Sequence, residues 1–348
     1  MTVTLSVIIP TRNRSAYVAE LLDSLAAQER VEYDWEVIVI DNASTDRTAE
    51  IVRIKTTSLP IQIHYGFEPK PGLHNGRHRG LMEARGKTIA FLDDDVLVTP
   101  TWIHGVEKIL SGEADAVVGR ILPKWEENPP KWLYTLIKDS EYSGYLSVLD
   151  HGPSARDINP VFVYGDNFFI KAMVIKELGG FNPDSLPEDQ LRYRGDGEYG
   201  LMLKFQKFGL RAWYDPVATV YHRVPAYRMS MKYLCKRSFA QGISDSYSKI
   251  RAEHIDPSLL PDSFYASTIK TSKNFQYYRN LVANITLADI WSNLKDRALR
   301  SVPMTQVNIK SRLRQTWWSG FQFHQQEVKN DPKLLSWVLR SDYWDAEP

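Results

Sequence analysis

The chain has one cysteine, Cys235, in 348 residues. A single thiol excludes an intrachain disulfide and a cysteine-based zinc site, and it suits a reducing compartment. Net charge is also scarce: 43 Lys and Arg against 42 Asp and Glu leave +1. Bulk electrostatics therefore points to no nucleic acid and no acidic partner. No window offers the ~20 apolar residues that a membrane span needs. The opening stretch MTVTLSVIIPTRNR lacks the basic leading region of a signal peptide, and an arginine-rich turn stops its apolar run at Pro10. The expected location is cytoplasmic, so the sequons at Asn42 and Asn284 carry little weight. Internal repeats and low-complexity stretches are missing too. What remains, 43% hydrophobic and 24% charged, is the composition of one large or two ordinary globular domains.

The first half alternates between two periods. VTLSVIIP, WEVIVIDNAS, IQIHYG and KTIAFL are short apolar runs that read as buried strands. Between them lie helical patterns. SAYVAELLDSLAAQ carries Tyr17, Leu21, Leu22 and Leu25 at helical spacing, with Ser15 as its N-cap. STDRTAEIVRIK is capped by Ser44 or Thr45, and GLHNGRHRGLMEAR is stopped by Gly86. Continuous apolar strands alternating with helices predict an α/β fold with a mostly parallel sheet covered on both faces. Ligands of such sheets sit beyond the carboxyl ends of the strands. Thr11 to Arg14, Asp41 to Asp46 and Asp93 to Asp95 all fall there.

Farther on, PKWEENPPKWLYTLIKDSEYSGY reads as a long surface loop with one short helix. VFVYGDNFFIKAMVIKELGGF is a strand and then a helix closed by Gly179 and Gly180. DGEYGLMLKFQKFG is an amphipathic helix, and RAWYDPVATVYHRV a pair of short strands around Pro216. From about Ala226 the character becomes helical, over 227–250, 274–299 and 308–329, with Gly320 weakening the last. A boundary is placed at 225/226.

Several constellations carry chemistry. Three successive carboxylates, Asp93, Asp94 and Asp95, exceed what a turn or a cap requires. They make sense around a hard divalent cation such as Mg2+ or Mn2+ with phosphate as co-ligand. Asp41 ends a buried strand, where a plain turn explains it equally well. His74, Arg77, His78 and Arg79 precede or open a helix, where one arginine could reach a phosphate or the aspartates. Asp196 lies between glycines at a helix start, a position that by itself reads as an N-cap, and Glu198 follows two residues on. His222 stands at a strand end.

In their order, SVIIPTRNR, VIVIDNASTDRT, GLHNGRHRGLMEARGKTIAFLDDDV, GGF, GDGEYGLMLKFQKFG and WYDPVATVYH resemble family 2 glycosyltransferases with the GT-A fold, over residues 3 to 223. The resemblance implies a GT-A catalytic domain over 1–225 and a helical extension over 226–348 that makes acceptor, membrane-surface or oligomer contacts. It implies inverting transfer from a nucleoside-diphosphate sugar, first of all a UDP-sugar, assisted by Mn2+ or Mg2+. Asp95 would be the main metal ligand and His222 would complete the site. Asp93 or Asp94 would approach the ribose or the metal's waters. Thr11, Asn13 and Asp41 would hold the nucleotide, and Arg79 would be the arginine before the fourth strand. Asp196 would be the catalytic base, although Gly195 replaces its usual acidic neighbour and Glu198 matches the acid further along that motif. The implied acceptor is a saccharide or a lipid-linked saccharide in cell-surface polysaccharide or glycolipid synthesis.

Two other classes compete. A sugar nucleotidyltransferase would want a glycine-rich, lysine-bearing loop after the first strand, and PTRNRSAY is not one. A non-catalytic nucleotide-sugar-binding protein would have no need of Asp95, Asp196 and His222 together. Trp125, Trp132, Tyr134, Tyr142 and Tyr145 offer faces for sugar stacking or for ordinary packing. Lys310, Arg312 and Arg314 beside Trp317 and Trp318 suit either a membrane surface or a packed appendage.

Overall fold

The computed structural model describes residues 3–138, 140–256 and 306–347; the helix expected over 274–299 lies outside them. The elements β1 (Leu5–Thr11), α1 (Ser15–Ala26), β2 (Trp35–Asp41), α2 (Thr48–Ser58), β3 (Ile63–Phe67), α3 (Leu73–Glu83) and β4 (Thr88–Leu92) follow in the expected order. Every residue of β1 and of β4 is buried, which is why their apolar runs are continuous rather than alternating. After β4 come β5 (Val96–Val98), the one-turn α4 (Glu107–Leu110), β6 (Ala116–Trp125), α5 (Lys131–Ile137), α6 (Ser140–Ser143) and β7 (Arg156–Asp157). Next are β8 (Asn167–Lys171), α7 (Ala172–Glu177), α8 (Glu198–Lys207) and β9 (Ala212–Val224). The helical region contributes α9 (Met231–His254), α10 (Gln306–Asn330) and α11 (Pro332–Val338).

One sheet runs through the molecule in the order β3-β2-β1-β4-β8-β6-β9-β5, with β7 on β9. Its first four strands are mutually parallel. β8 runs antiparallel between β4 and β6, and β5 antiparallel to β9. The chain goes outward from β1 through β2 to β3, then returns to place β4 on the other side of β1. That reversal opens a crevice at the carboxyl ends of β1 and β4, the position where open α/β sheets take ligands.

Local expectations need four corrections. Ser15 is the first residue of α1 and not its cap. Neither Ser44 nor Thr45 caps α2, which begins at Thr48. Asp46 supplies both ends: its Oδ2 accepts the Ser15 N–H at 3.2 Å and its Oδ1 the Thr48 N–H at 3.0 Å. Third, α3 ends at Glu83, three residues before Gly86. Fourth, β9 is one strand whose pairing with β6 slips from Asp215 opposite Gly119 to Val220 opposite Ile121. Pro216, which has no N–H to donate, lies in that slip.

The aromatic middle segment is mostly core. β6 extends to Trp125, and two short helices follow. Leu133, Leu136 and Tyr142 pack with Val224, Leu234 and Leu313 in a second apolar cluster, with Trp125, Trp132 and Tyr145 against it. Tyr134 is exposed.

α9 and α10 pack along each other through glycines. A methyl group on Gly242 would meet the Trp317 carbonyl oxygen, and one on Gly320 the Phe239 carbonyl oxygen. Gly320 therefore lowers helix propensity but lets two backbones touch, and α10 runs through it unbroken. Trp317 turns toward α9, its indole N–H donating to Asp245 at 2.6 Å. Past α11 the chain returns to the sheet domain, where Trp344 stacks on His78 of α3 with centroids 4.2 Å apart. Among the described residues no helix is long and apolar enough to cross a membrane.

Candidate active site

Asp93, Asp94 and Asp95 leave β4 at the crevice, and each is met by donors from other elements. Thr11, the last residue of β1, donates its hydroxyl to Asp94 Oδ2 at 2.7 Å. Arg14, just before α1, reaches Asp94 Oδ1 at 2.6 Å and Asp95 Oδ2 at 2.9 Å. Arg228, just before α9, gives Asp95 Oδ2 a further bond at 2.7 Å. Arg77, buried on α3, spans Asp93 Oδ1 and Glu198 Oε2, each at 3.2 Å, and donates to the Gly165 carbonyl at 2.8 Å. These guanidiniums are what lets like charges pack side by side.

The three carboxylates nonetheless differ. Burial pushes the Asp93 carboxyl up, with Asp95 and Glu198 adding to the shift and Arg77 opposing it. Burial and Asp95 push Asp94 up to about 6 against Arg14. At Asp95 burial acts in the same direction, but His222, Arg228 and Arg14 outweigh it and hold the carboxyl below the usual range. Asp166, which sequence reasoning passed over, is buried beside this group. Burial and then Asp93 drive its carboxyl well up, and its Oδ2 has no partner among the described residues.

His222 arrives by strand register. It pairs with Val96 across β5 and β9, which sets it beside Asp95. Its Nε2 faces Asp95 Oδ1 at 3.5 Å and accepts a bond from Arg228 Nη1 at 2.9 Å. Burial pushes the imidazole down to about 4, so at neutral pH it is uncharged and carries a lone pair. Asp41 ends β2 and accepts from the Ser44 N–H at 2.8 Å and the Tyr65 hydroxyl at 3.0 Å. Asn13, in the left-handed region at φ 54°, accepts the Thr45 N–H at 2.7 Å and ties the loop after β1 to the loop after β2.

Two expected residues are not brought to this rim. Arg79 lies on the outer side of α3, bonded to Glu83 one turn on at 2.6 Å. The arginine that turns inward is Arg77, which shares the buried face of α3 with His74 and Leu81. The signal was the helical phase, because residues 77 and 81 are one turn apart. Asp196 is turned toward α9. Its Oδ1 accepts from the Asn182 amide at 2.7 Å and its Oδ2 from the Ser248 hydroxyl at 2.6 Å. It lines a small cavity with Lys204 and Arg251. Glu198 is the acid that faces the aspartates. Gly197 takes φ 58°, and Glu198 then opens α8 with its Oε1 on the Gly165 N–H at 3.2 Å.

The residues fit a divalent cation. A neutral imidazole nitrogen and an ionised carboxylate oxygen face each other at a spacing suited to neighbouring ligands of one ion. Among the described residues no three His, Cys, Asp or Glu side chains form a ready-made cage. Hard ions such as Mg2+ take one or two carboxylates and complete their shell with water and substrate phosphate.

The chain is similar to known proteins in sequence and in fold. The description "Glycosyl transferase family 2" matches residues 6–179. Validoxylamine A glucosyltransferase of Streptomyces hygroscopicus subsp. limoneus is 35% identical over 139 residues, 39% of this chain but 30% of the relative's length. The chain thus spans less than a third of that relative. Glucosyl-dolichyl phosphate glucuronosyltransferase of Haloferax volcanii is 24% identical over 297 residues, 82% of this chain and 89% of the relative. Among solved structures, a mannosyltransferase of Pyrobaculum calidifontis in complex with GDP-Man and Mn2+ superposes with a TM-score of 0.55 at 20% identity, over 93% of this chain and 87% of that one. With its α/β sheet, strand-end acidic rim and matching family pattern over half its length, the chain is a member of glycosyl transferase family 2 and has the GT-A fold.

Proposed function

We propose that this chain transfers a glycosyl group from a nucleoside-diphosphate sugar to an acceptor hydroxyl with inversion at the anomeric carbon. One observation carries the reading: Asp95 and His222 face each other at the strand-end rim, while Arg77 links Asp93 to Glu198 across it. Asp95 and His222 would hold a divalent cation, Mn2+ or Mg2+. When bound, that ion supplies Lewis-acid neutralisation of the departing diphosphate. Asp41, with lone pairs left over from its two bonds, accepts from the nucleotide base. Thr11 and Asn13 shape the same pocket, and Asp93 or Asp94 reaches the ribose.

Glu198 takes the place of Asp196 as general base. It accepts the acceptor's hydroxyl proton as that oxygen bonds to the anomeric carbon and the bond from that carbon to the diphosphate oxygen breaks. Because the new bond forms as the old one breaks on the opposite side, the anomeric configuration inverts. A UDP-sugar is the first donor to test, and the relatives' names suggest a saccharide or lipid-linked acceptor. Residues 1–225 carry most of this chemistry, with Arg228 reaching back to Asp95 and His222, and the rest of 226–348 serves the acceptor, a membrane surface or a second copy. Incubation with UDP- and GDP-sugars and Mn2+ tests the reading: release of the nucleoside diphosphate that requires both metal and Glu198 supports it. Release unaffected by Glu198→Gln would remove the base assignment.

A further inference from the structure

Arg228 occupies a place that its neighbours need for something else. Its guanidinium is almost fully buried on the short turn Ala226–Met229 between β9 and α9. One nitrogen, Nη2, bonds Asp95 Oδ2 at 2.7 Å, and the other, Nη1, bonds His222 Nε2 at 2.9 Å. Nε is on the Tyr227 hydroxyl at 3.3 Å, and the Tyr233 ring lies 5.9 Å away. The fork therefore bridges the two side chains that face each other as cation ligands.

A neutral imidazole nitrogen has a single lone pair. His222 Nε2 can accept an N–H from Arg228 or ligate a metal, but not both. Arg14 and Arg228 already share Asp95 Oδ2, and a divalent ion beside them would add a third positive centre at this depth, where charge interactions are stronger than in water. Cation binding at His222 thus requires Nη1 to leave. A displaced guanidinium needs a new counter-charge, and a diphosphate offers one whose geometry the planar fork matches.

We propose that Arg228 is a resident counter-cation. It holds Asp95 and His222 together in the donor-free protein, yields that place to the divalent ion, and moves onto the donor's diphosphate. This rests on the reading of the site given above. It adds a consequence that reading lacks: beyond the attraction between ion and diphosphate, Arg228 itself couples metal to nucleotide, because the ion frees the guanidinium and the diphosphate receives it.

Mn2+ binding by electron paramagnetic resonance, with and without UDP or GDP, tests this on the full chain. In the parent, nucleotide should tighten Mn2+ binding by about tenfold or more. In Arg228→Met, nucleotide-free Mn2+ should bind about tenfold more tightly than in the parent, while UDP or GDP at saturating Mn2+ should bind more weakly. A merely structural lesion would not raise metal affinity. Arg228→Lys, with one nitrogen and no fork, should fall between the two, and thermal unfolding checks that both variants are folded. Unchanged nucleotide-free Mn2+ affinity in Arg228→Met overturns the displacement. Unchanged nucleotide affinity overturns the move to the diphosphate. A folded parent that binds neither Mn2+ nor nucleotide overturns the site reading itself, and this inference falls with it.

Discussion

Arg77 and Arg79 stand two positions apart on one helix and meet opposite surroundings. Arg79 is half-exposed and holds a single partner on its own helix, Glu83. Its replacement by Ala should change stability by no more than about 0.5 kcal/mol, the usual scale for an exposed pair. Arg77→Met leaves Asp93, Glu198 and the Gly165 carbonyl without their shared donor. Breaking a buried ion pair from one side costs about 3–5 kcal/mol, and urea unfolding of the two variants should show that ranking. The acids divide in a similar way. Glu198→Gln removes the proposed base and should lower transfer by about 10²–10⁴-fold with nucleotide binding nearly intact. Asp196→Asn perturbs two hydrogen bonds. It should cost about 1–3 kcal/mol of stability while keeping most of the turnover. Equal loss of turnover in both variants would reject Glu198 as the base.

At the scale of elements, the seam between α9 and α10 depends on two missing side chains. Gly242 and Gly320 each face a carbonyl oxygen of the partner helix. Alanine at either position should cost about 3 kcal/mol, at the upper end of the overpacking range, because backbone and not a flexible side chain must give way. Once one methyl has pushed the helices apart, the second meets less resistance. The double variant should therefore cost less than the sum of the singles, measurable from denaturant midpoints. Elements of this kind were legible in the sequence when their pattern was local. β1, β2 and β4 could be read because burial on both faces leaves mostly apolar residues, as in the VII of LSVIIPT. α9 and α10 could be read from their period, but not their partnership. The double capping by Asp46 was hidden because its carboxylate reaches back to Ser15, across a strand pair. At the site, the three aspartates, Asp41 and His222 carried signals in their strand-end positions. Arg14 shared that position, in the turn after the first strand. Asp166 and Arg228 carried no signal, because only the folded sheet brings them to the same rim.

For the whole molecule, several histidines fold without charge, and this sets how acid acts on it. Burial pushes His74, His222 and His324 down to about 4 and His78 to about 3. An unfolded histidine titrates near ~6.5. Between those values the unfolded chain binds the extra proton. Each such histidine then contributes stability that is complete above about pH 6.5 and declines as the pH falls toward 4, by about 1.4 kcal/mol per pH unit. Asp94 and Asp245, pushed up to about 6, act in the opposite sense, since there the folded state holds the proton. The total slope is a difference of these contributions, so a single histidine must be isolated by substitution. His324 is suited to this. It is fully buried on α10, far in sequence from the acidic rim, with Nδ1 on the Ser246 hydroxyl at 2.8 Å. His324→Gln keeps a partner for Ser246 but cannot titrate. Urea unfolding of parent and variant between pH 4.5 and 7.5 should give a stability difference that is constant above pH 7. Below pH 6 that difference should shift in the variant's favour by about 1.4 kcal/mol per pH unit. A difference that stays constant over the whole range would mean that His324 takes up its proton in the folded state as readily as in the unfolded chain.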